Sequence, residues 1–308
     1  MIYTEKLTKR FDEFTAVREI NLDISSGEAL VLLGPNGAGK TTTVRMLNSI
    51  LIPTSGRAVI AGFDVVTEAA QVRASVGVLT EHHGLYNRMN AVEYLQFFAD
   101  LYDLPRQKSK ARIEELLSIF TLKDFKKQRL GEYSKGMRQK LALVRALMPE
   151  PPVLLLDEPT SAMDPESAKM VRDAILTLKG SDRTIMLCTH NLAEAELLAD
   201  KIAIIWHGQI IQYDTVQALK RNLLGPEEYI LNASNAGVCE IPILPAGVRL
   251  IQQGITSLHF QIEDPEKDNP GLIRLLVNAG VEMMNFHKVH RTLENAYLTA
   301  IHQATDSR

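Results

Sequence analysis

Apolar residues gather in short, nearly unbroken runs along this chain: Ala29–Leu33, Val153–Leu156, Thr184–Cys188 and Ile202–Trp206. Each run gives way to a turn or a polar group, respectively Gly34, Asp157, Thr189–His190 and Gly208. Runs of strand length with helical stretches between them predict a mainly parallel sheet covered on both faces. Thr41–Ser49, Glu166–Leu178 and Asn191–Ala199 read as those helices, the last opened by Asn191 as its cap. Near the N-terminus, Ile2–Leu7, Glu19–Ile24 and Arg57–Ile60 alternate, as half-exposed antiparallel strands do. From about residue 87 to 150 the chain is rich in Leu, Glu, Lys and Ala at helical spacing, which predicts a helical insertion.

The pattern changes after Gly225–Pro226. Tyr229–Ala233, Leu258–Ile262 and Val281–Phe286 read as strands, Pro270–Ala279 and Leu293–Ile301 as helices, and Glu263–Asp268 as a solvated loop. The boundary is placed near Asn222, giving domains 1–222 and 223–308, with no internal repeat.

Composition narrows the function class. At ~150 residues per domain, 308 residues make about two domains. Lys plus Arg number 34 and Asp plus Glu 37, so the net charge is 34 − 37 = −3. That balance does not suit a protein coated in nucleic acid, and no nucleic-acid partner is expected. Two cysteines, Cys188 and Cys239, make no disulfide framework and fit a reducing, cytoplasmic setting. No apolar run approaches the ~20 residues of a spanning helix, and MIYTEKLTKRF lacks the features of a secretory signal. Any action at a membrane is expected to pass through a partner.

The chemistry is concentrated in two motifs. Gly34-Pro-Asn-Gly-Ala-Gly39-Lys40-Thr41 fits GxxxxGK[ST] and lies between an expected strand and an expected helix. Backbone N–H groups of Asn36, Gly37, Ala38, Gly39, Lys40, Thr41 and Thr42 can then face a nucleotide's phosphates. Lys40 would bridge the outer phosphates and the Thr41 hydroxyl would hold Mg²⁺. Val153–Leu156 followed by Asp157-Glu158 supplies a second magnesium group in Asp157 and a water-polarising carboxylate in Glu158. Together these specify a nucleoside triphosphate site on an α/β, P-loop NTPase (RecA-like) fold. Its mainly parallel core carries the antiparallel β subdomain and the helical insertion, and a small α+β C-terminal domain follows.

With those residues in place, the chain resembles the ATP-binding subunits of ABC transporters, over residues 1 to about 222. Tyr133-Ser134-Lys135-Gly136-Met137-Arg138-Gln139 is similar to the family's signature sequence, with Lys135 and Met137 replacing its commonest residues. Ser161 to Asp164 resembles the D-loop and His190 the switch histidine. Gly77-Val-Leu-Thr80-Glu81 resembles the strand entering the Q-loop, with Glu81 where most members have Gln. Phe11 takes the place of the aromatic that stacks on adenine, with Val17 behind it.

The resemblance implies an ATP hydrolase that uses ATP and Mg²⁺, the metal at Thr41, Asp157 and Glu81, with Glu158 and His190 catalytic. It implies two copies head to tail, each ATP held by Lys40 of one copy and by Ser134 and Gly136, with Asp164 nearby, of the other. It further implies permease subunits in the membrane on a separate chain, and a peripheral location on its cytoplasmic side. The C-terminal Leu293-Glu294-Asn295-Ala-Tyr297-Leu298 resembles a closing helix of the bacterial drug- and ion-export subfamily, which points to export. That domain reads as a structural cap without a site of its own.

Rival functions fit less of the chain. A non-transport ATPase of the superfamily acting on ribosomes or DNA would usually carry two cassettes or a long coiled coil, and a P-loop kinase would lack the signature. Arg138 and Lys140 read as surface or dimer-contact groups. Leu85 and Tyr86, after Gly84, read either as an anchor for a partner's helix or as packing within the insertion.

Overall fold

The buried runs become the core strands. The computed structural model describes residues 1–80, 84–161, 163–179 and 183–306. Its chain divides into two units, Met1–Val216 and Gln217–Arg308.

The first unit opens with β1 (Ile2–Phe11) and β2 (Phe14–Ile24), then β3 (Ala29–Leu33) and helix α1 (Lys40–Leu47). After them come β4 (Ser55–Ile60), β5 (Phe63–Asp64), α2 (Ala69–Ser75) and β6 (Val76–Leu79). The insertion supplies α3 (Ala91–Leu101), α4 (Arg106–Ile119) and α5 (Lys135–Leu147). The chain then returns to β7 (Val153–Asp157), α6 (Pro165–Lys179), β8 (Thr184–Thr189), α7 (Leu192–Leu198), β9 (Lys201–Trp206) and β10 (Gln209–Thr215).

One sheet has the order β10-β9-β3-β8-β7-β6, parallel except for the antiparallel β10–β9 edge. β3, β7 and β8 are buried at every position, the condition of strands covered on both faces. Each Val, Leu or Ile so placed contributes about 1.5–3 kcal/mol of burial. β1, β2, β4 and β5 form a separate antiparallel sheet, with alternating burial on β2.

Close packing joins the insertion to the sheet at Gly77 on β6. A methyl group there would stand 2.3 Å from the Ala146 carbonyl oxygen of α5 and 2.7 Å from the Pro151 ring. Gly77→Ala is therefore expected to cost about 1–3 kcal/mol through overpacking. For a chain of this size that lowers the melting temperature about 2–4 °C per kcal/mol. An unchanged thermal melt would show that α5 can move aside freely. Elsewhere on the insertion Tyr86 is half exposed, its ring edge-on to Tyr94 at 6.0 Å and to Phe97 at 5.8 Å. One side of that ring packs within the insertion, and the other faces solvent.

The second unit contains most of α8 (Val216–Leu224), then β11 (Glu227–Ala233), β12 (Val248–Gln253), β13 (Ser257–Ile262), α9 (Pro265–Asn278), β14 (Met283–Lys288) and α10 (Leu293–Asp306). Its antiparallel sheet has the order β12-β13-β11-β14 around a core of Leu231, Leu258, Phe260, Ile262, Leu272 and Leu276. The expected boundary at Asn222 falls inside α8. The segment expected as a loop, Glu263–Asp268, instead leads into α9 and forms its first turn. Asp264 caps that helix by accepting the Lys267 N–H, and Glu266 and Asp268 sit in its positive first turn. Acids that read as solvated are the start signal of a helix.

Candidate functional site

The carboxyl ends of β3, β7 and β8 lie side by side, because β8 pairs with both neighbours: Leu33 with Thr189, and Asp157 with Cys188. The loops leaving these strands carry the phosphate motif, the paired carboxylates and His190. Crevices at the carboxyl ends of parallel strands are where α/β folds bind ligands.

The phosphate loop turns into α1 at Gly39, whose φ of 108° is a left-handed value that suits glycine. A side chain there would also stand 2.6 Å from the Ala16 carbonyl oxygen. α1 starts with no side-chain cap and no acid in its first turn, so its leading N–H groups face an anion's place. Lys40 is buried, donating to the carbonyls of Gly34 at 2.7 Å and Pro35 at 3.1 Å. Its Nζ also lies 3.6 Å from Glu158 Oε1.

The Thr41 hydroxyl donates to Asp157 Oδ2 at 2.7 Å, so two hard oxygen ligands stand together beside the anion site. That donor set fits Mg²⁺, which prefers oxygen ligands and keeps part of its water shell. Glu158 follows with φ at 51°, unusual for a residue with a side chain. Its N–H donates to Cys188 O at 2.9 Å, which helps to hold that pose. Its Oε1 lies 2.8 Å from His190 Nδ1. Glu158 is 15% exposed and His190 57%, so the pair opens toward solvent from a largely buried carboxylate. The Cys188 thiol next to them is pushed well up, first by burial and then by the charge of Asp157.

Sequence-predicted groups thus meet in one place: Lys40, Thr41, Asp157, Glu158 and His190. Others do not. Val17 is fully buried and packs beneath Gly39, so it supports the loop and has no exposed face for a base. Phe11 is 44% exposed on β1, with the Lys9 ammonium 5.1 Å from its ring centre. Asp164 accepts the Ser167 N–H at 2.9 Å at the start of α6, and that bond holds its carboxyl below the usual range. Glu81 lies outside the described residues.

Ser134 caps α5, its hydroxyl accepting the Met137 N–H at 3.2 Å, and is exposed. Among the described residues no hydrogen bond joins Ser134 or Gly136 to the phosphate loop of the same copy. A methyl group on Gly136 would instead meet Met163 at 3.9 Å.

Arg138 is a half-buried surface group that donates to Tyr133 O at 3.1 Å and Gly131 O at 2.8 Å and so fastens the turn before Ser134. One reading is corrected here. Lys140 is buried and donates to Thr121 Oγ1 at 3.3 Å. Sequence reasoning also passed over Gln139, whose buried amide donates to Glu158 O at 3.0 Å and Pro159 O at 3.1 Å. That links helix α5 to the peptide that carries the Glu158 carboxylate.

In the second unit an open cavity of about 970 Å³ is lined by groups including Lys220, Glu227, Glu263, His290 and Arg291. Among its lining charges Lys288 pairs with Glu227, and Arg291 pairs with Glu228 outside the lining.

Comparison with known proteins agrees with this geometry. A family model described as ABC transporter matches residues 17–161. The ABC transporter ATP-binding protein NatA of Bacillus subtilis is 41% identical, over 71% of this chain and 91% of its own. The daunorubicin resistance ATP-binding protein DrrA3 of Streptomyces coeruleorubidus is 34% identical over 94% of this chain and 92% of its own. A solved structure described as the ATP binding subunit of an ABC transporter superposes with a TM-score of 0.69 at 27% identity, covering 73% of this chain and 94% of the other. A phosphate loop, two strand-tip carboxylates with a histidine, and relatives aligned along nearly their whole length converge: the chain belongs to the ABC transporter family, as one of its ATP-binding ATPase subunits.

Proposed function

We propose that this chain powers export across a membrane as one member of a head-to-tail pair, working with permease subunits on a separate chain. The observation that carries the reading is the array Lys40–Glu158–His190 beside Thr41–Asp157 at the uncapped start of α1. The phosphates of ATP would lie on the N–H groups of residues 36–42, with Lys40 turned from the Gly34 and Pro35 carbonyls to the outer phosphates. Thr41 and Asp157 would hold Mg²⁺, joined by Glu81, and the ion, when bound, offsets charge on the phosphate oxygens. Glu158 would take up the proton of the attacking water, and His190 would orient that carboxylate through its Nδ1. Ser134 and Gly136, unused within their own copy, would complete the site of the partner copy, with the Asp164 of their own copy nearby.

No described helix is long and apolar enough to cross a membrane. By likeness to the transporter subunits named above, the chain would sit against the permease from the cytoplasmic side. Export rests on the drug-resistance relative, whose similarity extends over 94% of this chain and so reaches into the C-terminal unit. The test is a strain lacking this chain, complemented with wild type or with Lys40→Ala and loaded with a fluorescent cationic drug. Wild type is expected to clear the drug and Lys40→Ala to retain it. Equal clearance by both would remove the export reading.

A further inference from the structure

The described acid next to the phosphate site for which that chemistry has no use is Glu194. It stands three residues after Asn191, the cap of α7, at the spacing where a glutamate ordinarily turns back and closes a capping box. Glu93 does this on α3: the Asn90 N–H donates to Glu93 Oε2 at 3.0 Å, and the Glu93 N–H to Asn90 Oδ1 at 3.0 Å. Glu194 makes half of that arrangement. Its N–H donates to Asn191 Oδ1 at 3.1 Å, but the Asn191 N–H goes to Thr189 Oγ1 at 3.0 Å instead.

The Glu194 carboxylate turns inward to 2% exposure. Oε1 accepts from Thr160 Oγ1 at 2.8 Å, and Oε2 accepts from Thr189 Oγ1 at 2.8 Å. Thr160 belongs to the loop leaving β7, and Thr189 is the last residue of β8. Thr160 is two residues beyond Glu158, and Thr189 immediately precedes His190, with its hydroxyl 3.5 Å from Glu158 Oε2. A buried carboxylate with two neutral donors is poorly compensated. Burial accordingly pushes Glu194 up, the two hydroxyls pull it back, and the charge of Glu158 pushes it further up. Helix capping does not require that arrangement, since Asn191 caps α7 without it.

We propose that Glu194 is a positioning residue for ATP hydrolysis: it bridges Thr160 and Thr189, and so fixes the loop carrying Glu158 against the loop carrying His190. The length of the side chain, which lets it reach both hydroxyls, is what matters, more than its charge. The inference rests on the role proposed above for Glu158.

The test measures kcat and KM separately for the full chain with ATP and Mg²⁺. Glu194→Gln has the same length and can accept from one hydroxyl while donating to the other, so kcat stays within about threefold of wild type. Glu194→Asp keeps the charge but is one methylene too short to span both threonines. It and Glu194→Ala should lose about tenfold to a hundredfold in kcat, the scale of a small misplacement of reacting groups, with KM within about twofold. Wild-type kcat in folded Glu194→Asp, or a Glu194→Gln variant as slow as Glu194→Ala, would overturn the bridge. If Glu194→Ala does not fold, the Gln-against-Asp comparison decides alone.

Glu158→Gln is measured alongside. Wild-type turnover in that single variant would refute the role of Glu158 whatever Glu194 does. Adding Glu194→Ala to the Glu158→Gln background should cost nothing more in kcat, and a further tenfold loss there would show that Glu194 acts by another route.

Discussion

Replacing Glu158 with glutamine is expected to slow ATP turnover about 10²–10⁴-fold, the usual loss when a general base is removed. The substitution is isosteric, and the surrounding structure holds the backbone independently of the carboxylate. The Glu158 N–H is tied to Cys188 O, and its carbonyl accepts from the Gln139 amide. ATP binding should survive, because Lys40, Thr41 and the open start of α1 are untouched. It should even tighten, since one of two adjacent negative charges near the phosphates is removed. With binding intact and turnover blocked, the closed pair should accumulate, so light scattering with ATP should report twice the mass seen without nucleotide. Hydrolysis at the wild-type rate would sink the assignment of Glu158.

What the sequence made legible and what it hid divide along physical lines. β3, β7, β8 and β9 were readable because they are buried on both faces and so appear as unbroken apolar runs. β10 was not, because it is an antiparallel edge strand whose every residue is half-buried, and Gln209–Thr215 shows neither a run nor a clean alternation. β14 is also an edge, and there the expected Val281–Phe286 is displaced to Met283–Lys288. In the site, the groups found first are those whose partners are near in sequence or whose motif is contiguous, from Gly34 to Thr41 and at Asp157-Glu158. Gln139 reaches residues 19 and 20 positions away, and Glu194 joins Thr189, five positions back, to Thr160, 34 positions back, through side chains folded inward. Asn191 and Glu194 carry the spacing of an ordinary capping box, and a local reading assigns them to that and stops. The partners of Arg138 are hidden in another way: they are carbonyls five and seven residues back, on a turn the sequence does not announce.

Mixing two inactive variants should restore activity. Lys40→Ala removes the ammonium that would meet the phosphates, and Ser134→Ala removes the hydroxyl at the start of α5, so each variant alone forms pairs in which both sites are damaged. In a head-to-tail pair of one chain of each kind, one site combines both defects, and the other takes intact Lys40 from one copy and intact Ser134 from its partner. At equal mixing, half of the pairs are of this kind, so roughly a quarter of all sites should be whole, and turnover should return to that order. The structure supports the shared arrangement by what it leaves apart. Ser134 caps α5 and is exposed, its hydroxyl proton available while its oxygen accepts from Met137, and no described hydrogen bond connects it to Lys40 or Thr41. Were each copy to complete its own site, Lys40→Ala chains would lack the ammonium and Ser134→Ala chains the hydroxyl regardless of partner. The mixture would then turn over ATP no faster than the average of the two variants, and a rate held at that average would end the shared-site reading.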